Sequence, residues 1–413
     1  MKLEKKRWII LIASCLINLC IGSLYSWSVF ASPMAVRLSE LYGLSGTALL
    51  TASNLSIVFT VANSVGPITM ISGGFINDKL GPKWVVFAGG LLFGVGLLAS
   101  GFATSIPILV VTYGLGCGLG MGLVYGCTIN NSVKFFPDKR GLIGGIATAT
   151  YGLSSVIIPP IANKLIGSIG VQSTFRMLGM VFMVVICSSA FLIEKCPEGY
   201  MPKGYTPDTM TSNSKKLKDK NWKEMIKDGN FYLMICMLLC GAFSGLMIIS
   251  QASPMAQNIV KMSAAMAATC VSILALFNAI GRILAGYISD KIGRINTIAL
   301  AFLLSMIGLV TLYGCNEGSN ARFILAIAII GTCFGSFMGV FPGFTADQFG
   351  TKNNSVNYGI MFIGFAVAGI MGPTVVGKIV SATGNYGQAF VIAGVLCILG
   401  FLLSFLYRKL NKQ

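Results

Sequence analysis

Long, uninterrupted apolar runs constrain this chain more than any other feature of its sequence. Twelve stretches are long enough to cross, as α-helices of about 20 residues, a hydrocarbon core about 30 Å thick. Their approximate limits are 8–34, 46–76, 84–103, 106–133, 142–166 and 171–193 in the first half, and 231–258, 264–289, 296–315, 323–346, 357–381 and 387–406 in the second. The runs are continuous rather than alternating, which excludes a membrane β-barrel. The sequence therefore predicts an all-α membrane protein with twelve transmembrane helices.

Composition excludes several other classes of protein. Only 10% of the 413 residues are charged, against roughly 25% in a soluble domain, which argues against a soluble enzyme, a disordered chain and a secreted disulfide-rich protein. The net charge of +17 could suggest a nucleic-acid partner, but the basic residues lie in short stretches between the apolar runs and form no single patch. The 12 cysteines include no C-x-x-C pair and are interpreted as packing residues, so no metal, cofactor or disulfide is expected.

A hydrophilic segment at 195–229 interrupts the apolar pattern midway. It contains several prolines and glycines and eight lysines, and it divides the chain into an N-terminal six-helix half, 1–194, and a C-terminal six-helix half, 230–413. Near its end, residues 221–226 have apolar side chains at helical spacing. We interpret them either as a short amphipathic helix on the membrane surface or as a solvated loop.

The basic residues are distributed unequally between the two sides of the predicted membrane. If the N-terminus is inside, 23 Lys and Arg residues lie on the cytoplasmic side and 6 on the other. This is the positive-inside pattern. It predicts that both termini are cytoplasmic and that the membrane is of the bacterial cytoplasmic type.

The two halves contain repeated strings. ASPMA at 31–35 returns at 252–256, and GFINDKLGPK at 74–83 returns as GYISDKIGR at 286–294. The second pair is offset by 212 residues, which is about half of the chain. Duplicated six-helix halves are a common plan of membrane carriers, whose substrate sites lie near the midplane between the repeats.

The repeated loop resembles the signature loop of the major facilitator superfamily. In that superfamily the acid caps a neighbouring helix end or pairs with charges there, and the basic residues hold the cytoplasmic side. The resemblance implies the major facilitator fold and alternating access by rocking of the two halves. It also implies a conformational-switch role for Asp78 and Asp290, together with Lys79, Lys291 and Arg294.

One charge lies well inside an apolar run. Arg282 follows Asn278 by four residues in the predicted eighth helix, and all 13 acidic residues lie at helix ends, in loops or in tails. An unpaired charge inside a membrane is costly and usually marks a functional cavity. Because a guanidinium binds a carboxylate through two parallel hydrogen bonds, we predict that the missing partner is an anionic substrate. The alternative is a structural arginine that bonds backbone carbonyls or extends to the membrane surface.

Aromatic and polar side chains on other helices could complete a pocket around that charge. Tyrosine can donate a hydrogen bond to a carboxylate, and large aromatic rings can form pocket walls, although most aromatics in apolar helices are packing residues. The predicted substrate-binding residues are Arg282, Tyr25, Trp27, Tyr125, Tyr151, Asn278 and Phe365. The alternating glycines at 114–122 lie inside the predicted fourth helix and are interpreted as a packing surface, so neither a nucleotide site nor ATP-driven transport is predicted.

Three strings narrow the resemblance: GSLYSWSVF at 22–30, FNAIGR at 277–282 and NYG at 357–359. They are similar to strings of the oxalate/formate antiporter family of small-carboxylate carriers. An oxalate carrier of that family is expected to have a Lys in helix 11 at or next to Phe365, whereas this helix has no Lys before Lys378. With one central cation, a monocarboxylate such as formate, lactate or pyruvate fits better than the dianion oxalate. Oxalate:formate exchange stays as an alternative.

The coupling mode is left open by the sequence. Related proton-moving monocarboxylate carriers are expected to have an Asp where Asn278 stands, and the chain has no His, so anion exchange is favoured by a small margin. The alternatives are a proton-coupled monocarboxylate symporter and, in another class, a membrane ligand sensor that does not transport. No catalytic constellation is visible, so an enzyme is not predicted. The expected partners are the carboxylate and the lipid bilayer, and the expected assembly is a monomer.

Overall fold

The computed structural model describes most of the chain: residues 3–46, 49–52, 54–202 and 219–411. In these residues the regular elements are all helices, and eleven helical segments are long and apolar enough to cross a membrane. The longest, Arg140–Ala190, bends at Gly170, whose φ of 79° and ψ of 162° are not helical. The two sides of Gly170 account for two crossings, so the predicted all-α class with twelve spans is confirmed.

The helices alternate with short loops in the first half of the chain. Their bounds are α1 Leu3–Ile21, a 3₁₀ turn Gly22–Ser26, α2 Trp27–Leu41, α3 Ser56–Leu80, α4 Pro82–Ser100, α5 Ile106–Leu109, a π-helical stretch Val110–Cys117, α6 Gly118–Phe135 and α7 Arg140–Ala190. The second span begins at Ser56, ten residues later than predicted. Gly46 has φ +59°, and Asn54 accepts hydrogen bonds from Thr51, so turns rather than helix precede it.

The second half has the same alternation. Its helices are α8 Trp222–Ile226, α9 Gly229–Asn258, α10 Ala264–Ile292, α11 Arg294–Tyr313, α12 Asn320–Phe349, α13 Asn354–Met361, α14 Ile363–Thr383 and α15 Gly387–Leu410. The helix predicted at 357–381 is interrupted at Phe362, which separates α13 from α14.

A glycine in each repeated loop makes the sharp turn between two helices possible. Gly81 has φ +97° between α3 and α4, and Gly293 has φ +88° between α10 and α11. Residues with a side chain rarely adopt a positive φ of this kind, whereas glycine adopts it readily. The next residue, Pro82 or Arg294, opens the following helix. The repeated sequence strings thus correspond to repeated backbone turns.

Contacts between residues divide the chain into two compact units. Unit 1 comprises residues 1–135 and 150–200, and unit 2 comprises residues 136–149 and 201–413. Unit 2 therefore includes the first turns of α7, from Arg140 to Ala149, in addition to the C-terminal half. The division of the sequence at 195–229 stays a prediction.

Glycines allow helices of unit 1 to pack at close range. A Cβ at Gly118 would meet Ala62, and one at Gly122 would meet the carbonyl oxygen of Gly66. The side chain of Thr69 also donates a hydrogen bond to the carbonyl of Leu119, at 2.7 Å. The glycine run at 114–122 therefore lies against neighbouring helices, as expected for a packing surface.

The end of the hydrophilic segment is ordered against unit 2. Asn221 and Glu224 form a capping box that starts α8, and Met225 of this helix is buried. The backbone N–H of Lys220 donates to the carbonyl of Phe349 at 2.9 Å, and its own carbonyl accepts from Asn357 at 3.0 Å. Residues 222–226 are therefore helical, and the preceding residues bridge the ends of α12 and α13.

Candidate functional site

Arg282 is buried in α10 with only 2% of its surface exposed. Its Nε donates a hydrogen bond to Oδ1 of Asn278 at 3.1 Å, and its Nη1 donates to the backbone carbonyl of Thr148 at 2.8 Å. In the described part of the chain, no carboxylate oxygen lies within 4.0 Å of the guanidinium. The positive charge is therefore held by two neutral acceptors and is not neutralised by an acid.

Two donors beside this charge remain open. Among the described residues, none accepts a hydrogen bond from Nη2 of Arg282 or from Nδ2 of Asn278. Neither nitrogen is among the fully buried polar atoms that lack a hydrogen-bond partner, so both have some accessible surface. The arrangement can bind an anion, because every open group is a hydrogen-bond donor.

Three glycines bring two other helices, α12 and α7, close to the backbone of Arg282. A Cβ at Gly335 of α12 would lie 3.0 Å from the amide nitrogen of Arg282, and one at Gly339 would meet the carbonyl of Arg282. On α7, a Cβ at Gly145 would collide with the same carbonyl. Close packing of this kind at small residues is typical of membrane helices. It fixes the backbone of α10 and therefore the direction of the arginine side chain.

Three of the predicted tyrosines form one cluster in unit 1. The ring of Tyr151 contacts Tyr25 edge-on at 5.3 Å between centroids and lies 4.9 Å from the ring of Tyr125. Tyr125 and Tyr151 are buried, and Tyr25 is half-buried. Gly22 makes this cluster possible, since a Cβ there would collide with the carbonyl oxygen of Tyr151.

Trp27 belongs to a different aromatic group in the same unit. Its ring lies 4.6 Å from that of Tyr113, and Phe30 stacks on Phe175 at 4.4 Å. The hydroxyl of Tyr113 donates to the carbonyl of Leu24 at 3.0 Å. Tyr113 thereby links the π-helical stretch in which it lies to the 3₁₀ turn of the first span, and such irregular turns are frequent at functional sites.

Phe365 lies in unit 2 within a group of phenylalanines. It stacks on Phe362 with 4.4 Å between ring centroids and lies 6.4 Å from the ring of Phe334. Only 9% of its surface is exposed. The position where the family comparison expects a lysine is therefore filled by an aromatic stack.

The second repeated loop forms a cluster of charged groups with the start of α7. The carboxylate of Asp290 accepts hydrogen bonds from the backbone N–H groups of Gly141 and Leu142, both at 2.8 Å. It also pairs with Arg294 at 2.7 Å, and Arg294 pairs in turn with Asp347 at 2.8 Å. A carboxylate at a helix N-terminus is favourable because it satisfies free N–H groups and the helix dipole. The capping that the family resemblance implies is thus present at Asp290.

The first repeated loop forms an ion pair within unit 1. Lys134 donates to Asp78 at 2.8 Å, and the side chain of Asp78 is almost completely buried. The carbonyl of Lys79 accepts from Lys195 at 2.9 Å. In the second loop, the ammonium of Lys291 lies 4.5 Å above the ring of Tyr287. The conformational-switch role of these residues stays a prediction.

Sequence reasoning missed three groups that complete these sites. Thr148 contributes a backbone carbonyl, which leaves no trace in the sequence. Asp347 and Arg140 form an ion pair at 2.8 Å and extend the cluster around Asp290. Asp347 and Arg140 could have been identified from the sequence, because both are charged residues at the ends of apolar runs.

Two cavities are lined by residues other than Arg282. One of about 380 Å³ is lined by residues near Pro33, Arg37 and Gly170, and another of about 280 Å³ lies beside Lys261 and Glu317. Neither is lined by a predicted substrate residue.

These features together describe a multi-pass membrane protein with duplicated halves and a buried arginine. The sequence model of the Major Facilitator Superfamily matches residues 16–373. The chain therefore belongs to the major facilitator superfamily and is a transporter of that class, as its sequence predicted.

Individual relatives agree with this assignment. The chain is 29% identical over 399 residues to the oxalate:formate antiporter of Oxalobacter formigenes, covering 96% of this chain and 90% of that protein. It is 29% identical over 367 residues to the uncharacterized MFS-type transporter YhjX of Escherichia coli (strain K12), covering 89% and 87%. It is 25% identical over 355 residues to monocarboxylate transporter 12 of Xenopus laevis, covering 82% and 77%. The predicted resemblance to oxalate/formate antiporters is confirmed.

A solved structure supports the fold. The crystal structure of the transporter FucP in the outward conformation matches with a TM-score of 0.72, covering 97% of this chain and 99% of FucP. At 14% identity this likeness concerns the fold alone. The predicted major facilitator fold is thus confirmed.

Proposed function

We propose that this transporter carries small monocarboxylate anions by alternating access and that it works as an anion exchanger. Formate, lactate and pyruvate are the substrates of the predicted class. The membrane would be of the bacterial cytoplasmic type, with both termini on the cytoplasmic side. Tyr25, Tyr125 and Tyr151 would contribute neutral groups, and the loops of Asp78 and Asp290 would act during the conformational change.

One observation carries this proposal: the uncompensated charge of Arg282. A buried guanidinium with an open Nη2, held in place by Asn278 and Thr148, has the geometry to donate hydrogen bonds to two carboxylate oxygens. The alternative of a structural arginine accounts for the bond to the Thr148 carbonyl, but it leaves Nη2 without a role. The names of two relatives, an oxalate:formate antiporter and a monocarboxylate transporter, support a carboxylate as the ligand.

The number of charges favours a monoanion. One guanidinium neutralises one carboxylate, so oxalate would keep about one negative charge uncompensated at low dielectric. Phe365, at the place where a second cation is expected, is packed against Phe362. A monocarboxylate therefore fits the electrostatics of this chain better than a dicarboxylate.

The neutral side chain of Asn278 favours exchange over proton symport. An amide does not titrate, so Asn278 cannot take up and release a proton during transport as a carboxylate could. Exchange needs no proton site in the protein. Symport would require the substrate carboxylate to carry the proton.

Transport by purified protein in liposomes tests the proposal. Vesicles are loaded with formate, lactate, pyruvate or oxalate, and uptake of each labelled anion is followed with and without a pH gradient. We expect uptake of monocarboxylates that is accelerated only by an internal counter-substrate.

Other results would select another function. Uptake into empty vesicles driven by external acid would identify a proton symporter. Saturable binding without uptake would identify a ligand sensor. Absence of binding and transport for every carboxylate would refute the substrate class.

A further inference from the structure

Asn278 has a donor that the rest of the site does not use. The side chain is buried, with 8% of its surface exposed. Its Oδ1 must be the atom that faces Arg282, because a guanidinium can only donate hydrogen bonds. The orientation of the amide is thereby fixed, and Nδ2 points away from Nε. Among the described residues no acceptor binds this Nδ2, and it is not sealed in the interior.

The neighbouring donors of Arg282 define where a carboxylate would sit. Nε is occupied by Asn278, and one hydrogen of Nη1 is occupied by the carbonyl of Thr148. The second hydrogen of Nη1 and both hydrogens of Nη2 remain for the two oxygens of a carboxylate. Nδ2 of Asn278 lies one amide width from the acceptor of Nε. It is therefore a further donor next to the guanidinium that would bind the carboxylate.

We propose that Asn278 selects monocarboxylates that carry an oxygen on C2, namely 2-hydroxy and 2-oxo acids. This inference rests on the proposed function, in which Arg282 binds the carboxylate. The oxygen on C2 lies next to the carboxylate and can accept the hydrogen bond from Nδ2. An acid without this oxygen leaves the buried donor unpaired, which is costly. Lactate and pyruvate carry the required oxygen, whereas formate has no C2.

Matched pairs of substrates isolate this single contact. Glycolate differs from acetate by one hydroxyl on C2, and pyruvate differs from propionate by one oxo group. Liposomes with purified protein give the ratio of transport efficiency within each pair. For the unmodified chain we expect each ratio to be about 5 in favour of the oxygenated acid, which is the factor for one net neutral hydrogen bond.

Asn278→Ala removes both the donor and the support of Nε. Efficiency is expected to fall for all acids, since Arg282 is less well held, but the ratio within each pair should fall towards 1. Asn278→Ser retains a small hydroxyl in case the alanine variant does not fold. Asn296→Ala is the matched control, because the amide of Asn296 in α11 donates to the carbonyl of Ile292 at the end of α10. Its ratios should equal those of the unmodified chain.

The outcomes separate this inference from the proposed function. Ratios near 1 in the unmodified chain, or ratios that Asn278→Ala leaves unchanged while all rates fall together, would overturn the selection role and make Asn278 a support of Arg282 only. If the unmodified chain neither binds nor transports any of the four acids, this inference fails; if formate and lactate are not bound or transported either, the proposed function fails with it. Melting temperatures of the variants show whether a lost rate reflects unfolding.

Discussion

The two units present their candidate substrate groups in different chemical forms. In unit 1, the ring of Tyr151 contacts those of Tyr25 and Tyr125, and the candidate groups are neutral. In unit 2, a single buried arginine is held by neutral acceptors and retains its full charge. Although the halves share repeated strings and turns, their interior side chains have diverged. If Arg282 binds the carboxylate as proposed, charge recognition belongs to unit 2.

The helices that carry the repeated string ASPMA also differ between the two units, in the regularity of their backbone. In unit 1 this first span is interrupted by the 3₁₀ turn Gly22–Ser26, whereas the corresponding span in unit 2, α9, is continuous from Gly229 to Asn258. Gly22 packs on the Tyr151 carbonyl, and Tyr113 binds the carbonyl of Leu24. The first span of unit 1 is thus interrupted close to the tyrosine cluster, whereas α9 and the arginine-bearing α10 of unit 2 are each continuous.

The largest effect should follow from Arg282→Lys, which keeps the charge of unit 2 but not its geometry. An ammonium has three hydrogens; after bonds to Asn278 and Thr148, only one would remain for a carboxylate. We expect transport efficiency to fall about 10- to 100-fold, as for loss of a charge-assisted hydrogen bond. Counterflow assays in liposomes measure this change.

Arg322→Lys is the control for this variant. Arg322 is exposed and also donates to a backbone carbonyl, that of Thr311, so it tests whether any arginine substitution in unit 2 impairs transport. Full activity of Arg282→Lys would contradict the anchor role and return Arg282 to a structural role.

Adding a second cation to unit 2 should increase the difference in charge between the candidate substrate groups of the two units. Phe365→Lys places an ammonium where the family comparison expects one, so the second charge of oxalate could be neutralised. We expect the efficiency ratio of oxalate to formate to rise about tenfold, an order-of-magnitude value for one partly screened ion pair. Phe365→Leu controls for loss of the stack on Phe362. An unchanged ratio would mean that residue 365 is remote from the substrate.

Much of the fold could be predicted from the sequence because hydrocarbon solvation acts on every residue of a span. The lengths of the apolar runs therefore gave twelve helices. The late start at Ser56 was missed, because residues 46–55 are apolar enough for a span, yet the described residues among them form turns at Gly46 and Asn54. The break at Phe362 was missed as well, because the residues from Ile360 to Ile363 are all apolar and continue the predicted span.

The site was less predictable than the fold, for a physical reason. Arg282 was recognisable because a lone charge in an apolar run is costly and therefore conspicuous. Its partner at Thr148 is a carbonyl oxygen, and every residue has one, so only the three-dimensional packing at Gly145 and Gly339 selects it. The aromatic residues were ambiguous for a similar reason, since packing and ligand contact use the same side chains.

The tyrosine cluster should have a smaller effect than the arginine. Tyr125→Phe and Tyr151→Phe keep the ring contacts at 4.9 and 5.3 Å and remove only a hydroxyl. If unit 1 contributes neutral hydrogen bonds, each variant should raise KM about fivefold, the value for one neutral hydrogen bond, for every monocarboxylate alike.

Tyr113→Phe is the matched control for the cluster. Its hydroxyl is committed to the carbonyl of Leu24, so its loss should lower the melting temperature without changing KM. A KM change in this control equal to that of the cluster variants would mean that any hydroxyl in unit 1 matters only through packing.

Trp27→Phe should have the smallest effect on transport. The ring of Trp27 packs on Tyr113, 4.6 Å between centroids, and is 5% exposed, and a phenyl ring can keep much of this contact. We expect KM to change by less than about twofold, while the smaller ring leaves a cavity that destabilises the protein by about 1–3 kcal/mol. Thermal unfolding and KM, measured on the same preparation, distinguish the two effects. A KM shift as large as that of Tyr151→Phe at unchanged stability would instead make Trp27 a wall of the pocket, and unit 1 would then shape the substrate through two separate aromatic groups.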